Sequence, residues 1–330
     1  MSESDNLAYQ GLQPDQILAC VERLGFEADG RLLALNSYEN RVYQVGIEDQ
    51  PPLIAKFYRP GRWSDAAILE EHQFALEMGA ADIPLVCPLE IGHETLHHVD
   101  AFRLAVYPQR GGRWPELDDE GLLQQIGRLV ARMHTVGETR PFQHRPALDS
   151  DSFGYASMEL ILDADVLPDE LIDAYQTLAE DLLERIDEQM DNAGAFQIIR
   201  LHGDLHPSNL LARGEIVHIV DLDDARSGPS VQDIWMFLSG SRDEQLRQLD
   251  VILQGYSEFR RFSTVELQLI EPLRTLRIMH YAAWLTSRYS DPAFQRAFPW
   301  FKEPRYWESH ILSLREQQAL MQEPPLDWIA

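Results

Sequence analysis

Apolar residues recur every three to four positions in some stretches of the chain and cluster in short runs in others. Ile17, Leu18, Val21 and Leu24 follow Pro14 at helical spacing, which predicts a helix over residues 14–24. Leu32, Leu33 and Leu35, then Val42, Val45 and Ile47, predict two strands around the polar turn Asn36-Ser-Tyr-Glu-Asn-Arg41. Leu53-Ile-Ala-Lys-Phe57 reads as a third strand, interrupted by one lysine. Asp65–Gly79 carries Ile68, Leu69, Ala75, Leu76 and Met78 on a helix, and two further strands are expected at Val86–Ile91 and Phe102–Tyr107.

Beyond Asp118 the pattern becomes helical. Leu122, Leu123, Ile126, Leu129, Val130 and Met133 form a stripe wide enough to bury one face. Residues 155–190 read as two acidic amphipathic helices broken near Leu167-Pro168, and Asp233-Ile-Trp-Met-Phe-Leu238 starts another. Ser263-Thr-Val-Glu266 has the form of a capping box opening a long helix that Pro272 kinks. The aromatic residues Phe294, Phe298, Trp300, Phe301, Tyr306 and Trp307 read as core. A strand-rich start and a helical remainder make an α+β chain. Pro108-Gln-Arg-Gly-Gly-Arg113, poor in regular-structure formers, marks a boundary between residues 1–107 and 108–330.

Composition narrows the partners. With 28 Lys and Arg against 54 Asp and Glu the net charge is −26, so nucleic acid and anionic membrane surfaces, which require basic patches, are not expected partners. No apolar run approaches the ~18 residues of a membrane span, and the polar Met-Ser-Glu-Ser-Asp start lacks a signal pattern; the expected location is cytoplasmic. Residues 1–10 read as disordered. Cys20 and Cys87 are the only cysteines, too few for a disulfide framework or a zinc site.

The chemistry is concentrated in His202-Gly-Asp-Leu-His-Pro-Ser-Asn209 and the apolar hairpin after it, which ends at Val220-Asp221. Two strands folding back on each other bring Asn209 near Asp221, and two hard oxygen ligands suit Mg²⁺. Phosphoryl transfer needs little covalent help from protein. It needs metal against the phosphates and a carboxylate that accepts or orients the proton of the attacking hydroxyl. Asp204 suits the second task, Asn209 and Asp221 the first.

These segments, with Asp221-Leu-Asp223, resemble the catalytic and metal-binding loops of the aminoglycoside phosphotransferase and choline kinase group of kinase-like enzymes. Protein kinases have His-Arg-Asp and Asp-Phe-Gly in these places; Gly203 and Asp223 favour the phosphotransferase branch. Asn36–Tyr43, Lys56–Trp63, Ile68–Phe74, Val220–Arg226, Ile270–Arg274 and Gln322–Leu326 are similar to segments of bacterial serine/threonine protein kinases of this fold that act in stress responses.

The resemblance implies a bilobal, protein-kinase-like fold with a small β-rich N-terminal lobe, a large helical C-terminal lobe, and ATP with Mg²⁺ in the cleft between them. It implies catalysis by Asp204 and Asp221 and metal binding by Asn209 and Asp221. It also implies that Ser37, in a loop without glycine, and Lys56 contact ATP. Lys56 needs a carboxylate from the following helix; Glu70 and Glu71 are both there, and the family's Glu-x-x-apolar pattern selects Glu71, three residues before Phe74. Asp233 either braces the catalytic loop or caps its own helix, or both, and His134 reads as a packed or capping residue. The acceptor is a protein Ser or Thr hydroxyl, the chain itself among the candidates. The alternative acceptor is a hydroxyl of an amino alcohol, sugar or aminoglycoside, which the acidity of the chain would suit if the substrate were cationic.

Overall fold

The structure, a computed structural model, describes Tyr9, residues 11–35 and residues 37–328. Apart from Tyr9, residues 1–10, where disorder is expected, and Asn36 lie outside the described residues. In chain order the elements are α1 (Pro14–Arg23), β1 (Ala28–Ala34), β2 (Arg41–Ile47), β3 (Gln50–Phe57), α2 (Asp65–Ala80), β4 (His97–Val99), β5 (Phe102–Pro108) and α3 (Glu120–Gly137). There follow α4 (Ala156–Asp163), α5 (Ile172–Asn192), β6 (Ile199–Leu201), β7 (Leu210–Arg213), β8 (Ile216–Ile219) and β9 (Arg226–Gly228). The chain continues with α6 (Gln232–Trp235), α7 (Arg242–Ser257), α8 (Ile270–Arg288), α9 (Pro292–Ala297) and α10 (Pro304–Leu320). The expected α+β class holds, with the main sheet in the N-terminal region and helices dominating the rest. No described helix is long and apolar enough to cross a membrane.

The chain packs into two compact units that are discontinuous in sequence. One comprises Met1–Glu116, Thr135–Arg145 and Asp204–Ala225; the other comprises Leu117–His134, Pro146–Gly203 and Arg226–Ala330. A single cut at residue 107 does not describe this interleaving.

In the first unit, five antiparallel strands lie in the order β1-β2-β3-β5-β4. Ile17, Cys20 and Val21 of α1 bury against Val45, Phe57, Leu104 and Val106 of the sheet, which is why the apolar stripe of α1 has its helical spacing. The first unit also contains the β7–β8 hairpin, in register Leu210↔Ile219 to Arg213↔Ile216. The strand expected at Val86–Ile91 does not form. Pro84 and Pro88 interrupt ladder pairing there, and Leu85 makes only an isolated bridge to Ile219; the edge strand is β4 instead.

In the second unit, α3 and α7 approach so closely that a Cβ on Gly127 would lie 2.0 Å from the Ile252 carbonyl oxygen, and one on Gly255 would lie 2.1 Å from that of Gln124. Glycine is required at both crossings. The Ser263-x-x-Glu266 box does not cap a helix: the Ser263 side chain makes no cap bond, residues 264–269 form a 3₁₀ turn, and α8 begins at Ile270. Pro272 therefore sits in the first turn of α8, where its missing N–H has no helical acceptor to lose. The capping box is at Ser241 and Glu244, where α7 begins.

Candidate active site

Lys56 occupies β3, paired across the sheet with Val42 on one side and Ala105 on the other. A lysine in the middle of a sheet, 7% exposed, is tolerated only if anions meet it. Its Nζ lies 3.0 Å from Asp221 Oδ1 and 3.1 Å from Asp223 Oδ1. Burial pulls the ammonium pKa down, but Asp221, Asp223 and Glu71 outweigh it and hold the pKa well above its usual value.

Asp221 follows β8 in a left-handed conformation, with φ +62°. Aspartate tolerates that region better than most residues, and the turn leaves its carboxylate 55% exposed. Asn209 closes a 3₁₀ turn over Pro207–Asn209, and Val220 N–H donates to its carbonyl at 3.0 Å. The hairpin thus brings Asn209 beside the residue that precedes Asp221, as the sequence pattern predicts. The Asn209 side-chain amide donates to the Asp204 carbonyl at 2.9 Å. His206 Nε2 lies 3.4 Å from Asp204 Oδ2.

Ser37, Lys56, Glu71, Tyr107, Arg110 and Asp221 are among the residues lining one cavity of about 260 Å³ in this unit. Leu35, Val42, Ile54 and Leu211 supply apolar walls. Four of the six expected site residues, Ser37, Lys56, Glu71 and Asp221, therefore line one cavity, and Asn209 lies opposite Val220, which lines it too. Asp204 is joined to that group through Asn209.

The pairing expected between Lys56 and Glu71 is not the one the structure makes. Glu71 forms its ion pair with Arg145, and burial raises its carboxyl pKa against the lowering pull of Lys56 and Arg145. Arg145 also donates to the Ala67 carbonyl at 2.9 Å and to the Asp223 carbonyl at 2.6 Å. Glu70 turns elsewhere, accepting the N–H groups of Gln143, His144 and Arg145 at 2.6, 2.8 and 2.9 Å. Of the two glutamates only Glu71 faces the cavity.

Asp223 is the residue that sequence reasoning left without a role. It is 4% exposed and gathers Lys56, the Arg62 guanidinium and the Asn40 amide on its carboxylate. Burial alone would raise its pKa, but Arg62 and Lys56 hold it at about 2. Arg62 also reaches Asp224 at 2.8 Å. The signal was present in the paired arginines of Arg59-Pro-Gly-Arg62 and the triplet Asp221-Leu-Asp-Asp224, two runs whose charges match.

In the second unit, Asp233 is fully buried and accepts the N–H groups of His202 and Gly203, each at 2.9 Å. Gln232 donates to the Gly203 carbonyl at 2.9 Å. Gly203, at φ +82°, makes the left-handed step that an L side chain resists, and Asp204 follows it in the chain. His134 lies with Nε2 3.3 Å from Asp233 and Nδ1 3.0 Å from the Tyr256 hydroxyl. Burial lowers its pKa despite Asp233, so the imidazole is neutral and its Nε2–H donates to Asp233 while Nδ1 accepts from Tyr256. Asp233 thus braces the loop main chain; the structure gives it no capping bond to its own helix.

Comparison with known proteins adds four findings. The model of the phosphotransferase enzyme family matches residues 31–267. The chain is 41% identical over 318 residues to stress response kinase A of Escherichia coli (strain K12), covering 96% of each protein. It is 40% identical over 324 residues, 98% of each, to the serine/threonine protein kinase RdoA of Salmonella typhimurium (strain LT2). Among solved structures, amicoumacin kinase hAmiN in complex with AMP-PNP, Ca²⁺ and Ami superposes with a TM-score of 0.75 at 18% identity, covering 100% of this chain and 98% of that one.

Proposed function

The chain belongs to the phosphotransferase enzyme family, and from that premise we propose that it transfers the γ-phosphate of ATP, with Mg²⁺, to serine or threonine hydroxyls of proteins, its own chain among them, in a bacterial stress response in the cytoplasm. The observation that carries this reading is the near full-length likeness to relatives named as stress response kinase and as serine/threonine protein kinase.

The geometry supports it. The cavity holds a buried cation, Lys56, between apolar walls that suit a base and a polar end that suits phosphates. Lys56 positions the α and β phosphates, and the Ser37 hydroxyl donates to the phosphates from its loop. Glu71 holds α2 through Arg145 and acts on Lys56 only by its charge. Asn209 and Asp221 fit a hard cation, since one offers a neutral amide oxygen and the other an exposed carboxylate on a rigid turn. When bound, Mg²⁺ supplies neutralisation of the charge on the β and γ phosphates. Asp204 accepts, or at least orients, the proton of the acceptor hydroxyl.

A second reading is favoured by the likeness to a kinase whose partner is the small molecule Ami: transfer to a hydroxyl of an amino alcohol, sugar or aminoglycoside. One experiment separates the two. The protein is incubated with radiolabelled ATP and Mg²⁺, alone and with a basic protein acceptor, beside Asp204→Asn. We expect labelling of the chain or acceptor that falls about 10²- to 10⁴-fold in the variant while ATP still binds. Absence of protein labelling together with ATP turnover stimulated by choline, aminoglycosides or amino alcohols would overturn the protein-kinase reading.

A further inference from the structure

The Ser37 loop is held from its far end. Arg59 donates to the Glu39 carbonyl at 3.0 Å and to the Tyr38 carbonyl at 3.3 Å. The next residue, Asn40, is 3% exposed. Its amide oxygen accepts the Arg59 N–H at 3.1 Å, and its amide nitrogen donates to Asp223 Oδ1 at 2.9 Å.

An asparagine in a turn ordinarily bonds the main chain within its own loop. Asn40 instead directs both ends of its amide outward, one to the main chain two residues past β3 and one to a residue 183 positions away. The far partner is itself immobilised. Asp223 is gripped by Lys56 and Arg62 through its carboxylate and by Arg145 through its carbonyl, and it lies two residues beyond Asp221.

We propose that Asn40 is a positioning residue: through its hydrogen bond to Asp223 it fastens the Ser37 loop to the segment that carries Asp221, so that the two sides of the phosphate end of the cavity are set as one piece. Asn40 touches no phosphate itself. The inference rests on the reading that this cavity takes ATP, but not on the identity of the acceptor. Its consequence is selective. Loosening the loop weakens recognition of phosphates, while the apolar walls that receive the base, Val42 and Ile54 on the sheet and Leu211 on the hairpin, stay in place.

The test is calorimetric titration of the full chain with ATP and Mg²⁺ and, separately, with adenosine. Asn40→Ala removes the buried hydrogen bond to the Asp223 carboxylate together with the one from the Arg59 N–H, which corresponds to about tenfold weaker ATP binding or more, with adenosine binding within about twofold of the unmodified chain. Asn40→Asp sets two carboxylates against each other and weakens ATP binding further.

Two results would overturn the proposal: Asn40→Ala binding ATP normally, or Asn40→Ala losing adenosine and ATP in equal measure, as general damage to the fold would cause. Failure of the unmodified chain to bind ATP would instead remove the reading of the cavity on which the proposal stands, and the proposal with it.

Discussion

Two aspartates ten residues apart in the chain are both almost fully buried, and they are satisfied in opposite ways. Asp223, in the first unit, is surrounded by cations and one amide: Lys56, Arg62 and Asn40. Asp233, in the second, is met by two backbone N–H groups and a neutral imidazole. The difference decides what each can do. Lys56 lines the cavity and is the kind of cation that phosphate attracts, so on the proposed reading its bond to Asp223 is open to exchange with an incoming nucleotide while Arg62 and Asn40 keep Asp223 in place. Backbone N–H groups cannot leave their chain, so the bonds at Asp233 fix the path of the main chain into Asp204 and are not open to exchange. One aspartate belongs to a network that can be re-paired and the other to a scaffold.

Removing Asp233 breaks this contrast most severely. Asp233→Ala strands the N–H groups of His202 and Gly203 and the Nε2–H of His134 in a site that water does not reach. At about 1–3 kcal/mol for each buried donor left without a partner, we expect a loss of roughly 3 kcal/mol or more in denaturant unfolding, and loss of transfer with it. Asp233→Asn, which keeps one acceptor oxygen, costs less. A loss below about 1 kcal/mol for Asp233→Ala would show that the scaffold does not depend on this carboxylate.

Lys56→Met tests the exchangeable side. Asp221 is half exposed and returns to water, while Asp223 keeps Arg62 and Asn40, so no buried charge is left alone. Stability should change by less than about 2 kcal/mol. ATP binding should weaken roughly ten- to a hundredfold, measured by the same calorimetry. A variant that unfolds but binds ATP undiminished when refolded would assign Lys56 to the scaffold and reverse the comparison.

How far the two networks were legible in the sequence follows from the same distinction. The elements that place the site were predictable because each is written in a local pattern: the stripe of α1, the apolar run with a single lysine in β3, and the two short runs of β7 and β8 about Ala212-Arg-Gly-Glu215. Lys56, Asn209 and Asp221 were found through these elements and the resemblance built on them. The partner of Lys56 was not legible, since Glu71 and Asp223 are both carboxylates at suitable places, and what turns Glu71 aside is Arg145, seventy-four residues on. The strand expected at Val86–Ile91 failed because its apolar pattern outweighed Pro88 in the reading, whereas in the ladder a missing donor decides. The box at Ser263 failed for a reason specific to packing: Glu266 is drawn away to a different helix start, where it accepts the Val231 N–H at 2.9 Å.

That diverted glutamate sharpens the comparison, because it is a titratable group in the unit where the other described buried carboxylate, Asp233, is met by neutral donors. Glu266 is 2% exposed; burial raises its pKa to about 7, against the lowering influence of the Val231 N–H, Arg260 and the Ser230 N–H. A carboxyl whose folded pKa lies above its unfolded value binds its proton more tightly when folded. Its contribution to stability is therefore complete below about 4.5, the ordinary value, and is lost as pH rises through about 7. Between pH 6 and 8 this one group should lower stability by about 1 kcal/mol. Glu266→Gln keeps an acceptor for Val231 but cannot ionise, so it should flatten that part of the profile and make the protein more stable than the unmodified chain at pH 8. Equal slopes for the two proteins would mean that the charged form is accommodated by Arg260, and that an ion pair operates in the second unit as it does in the first.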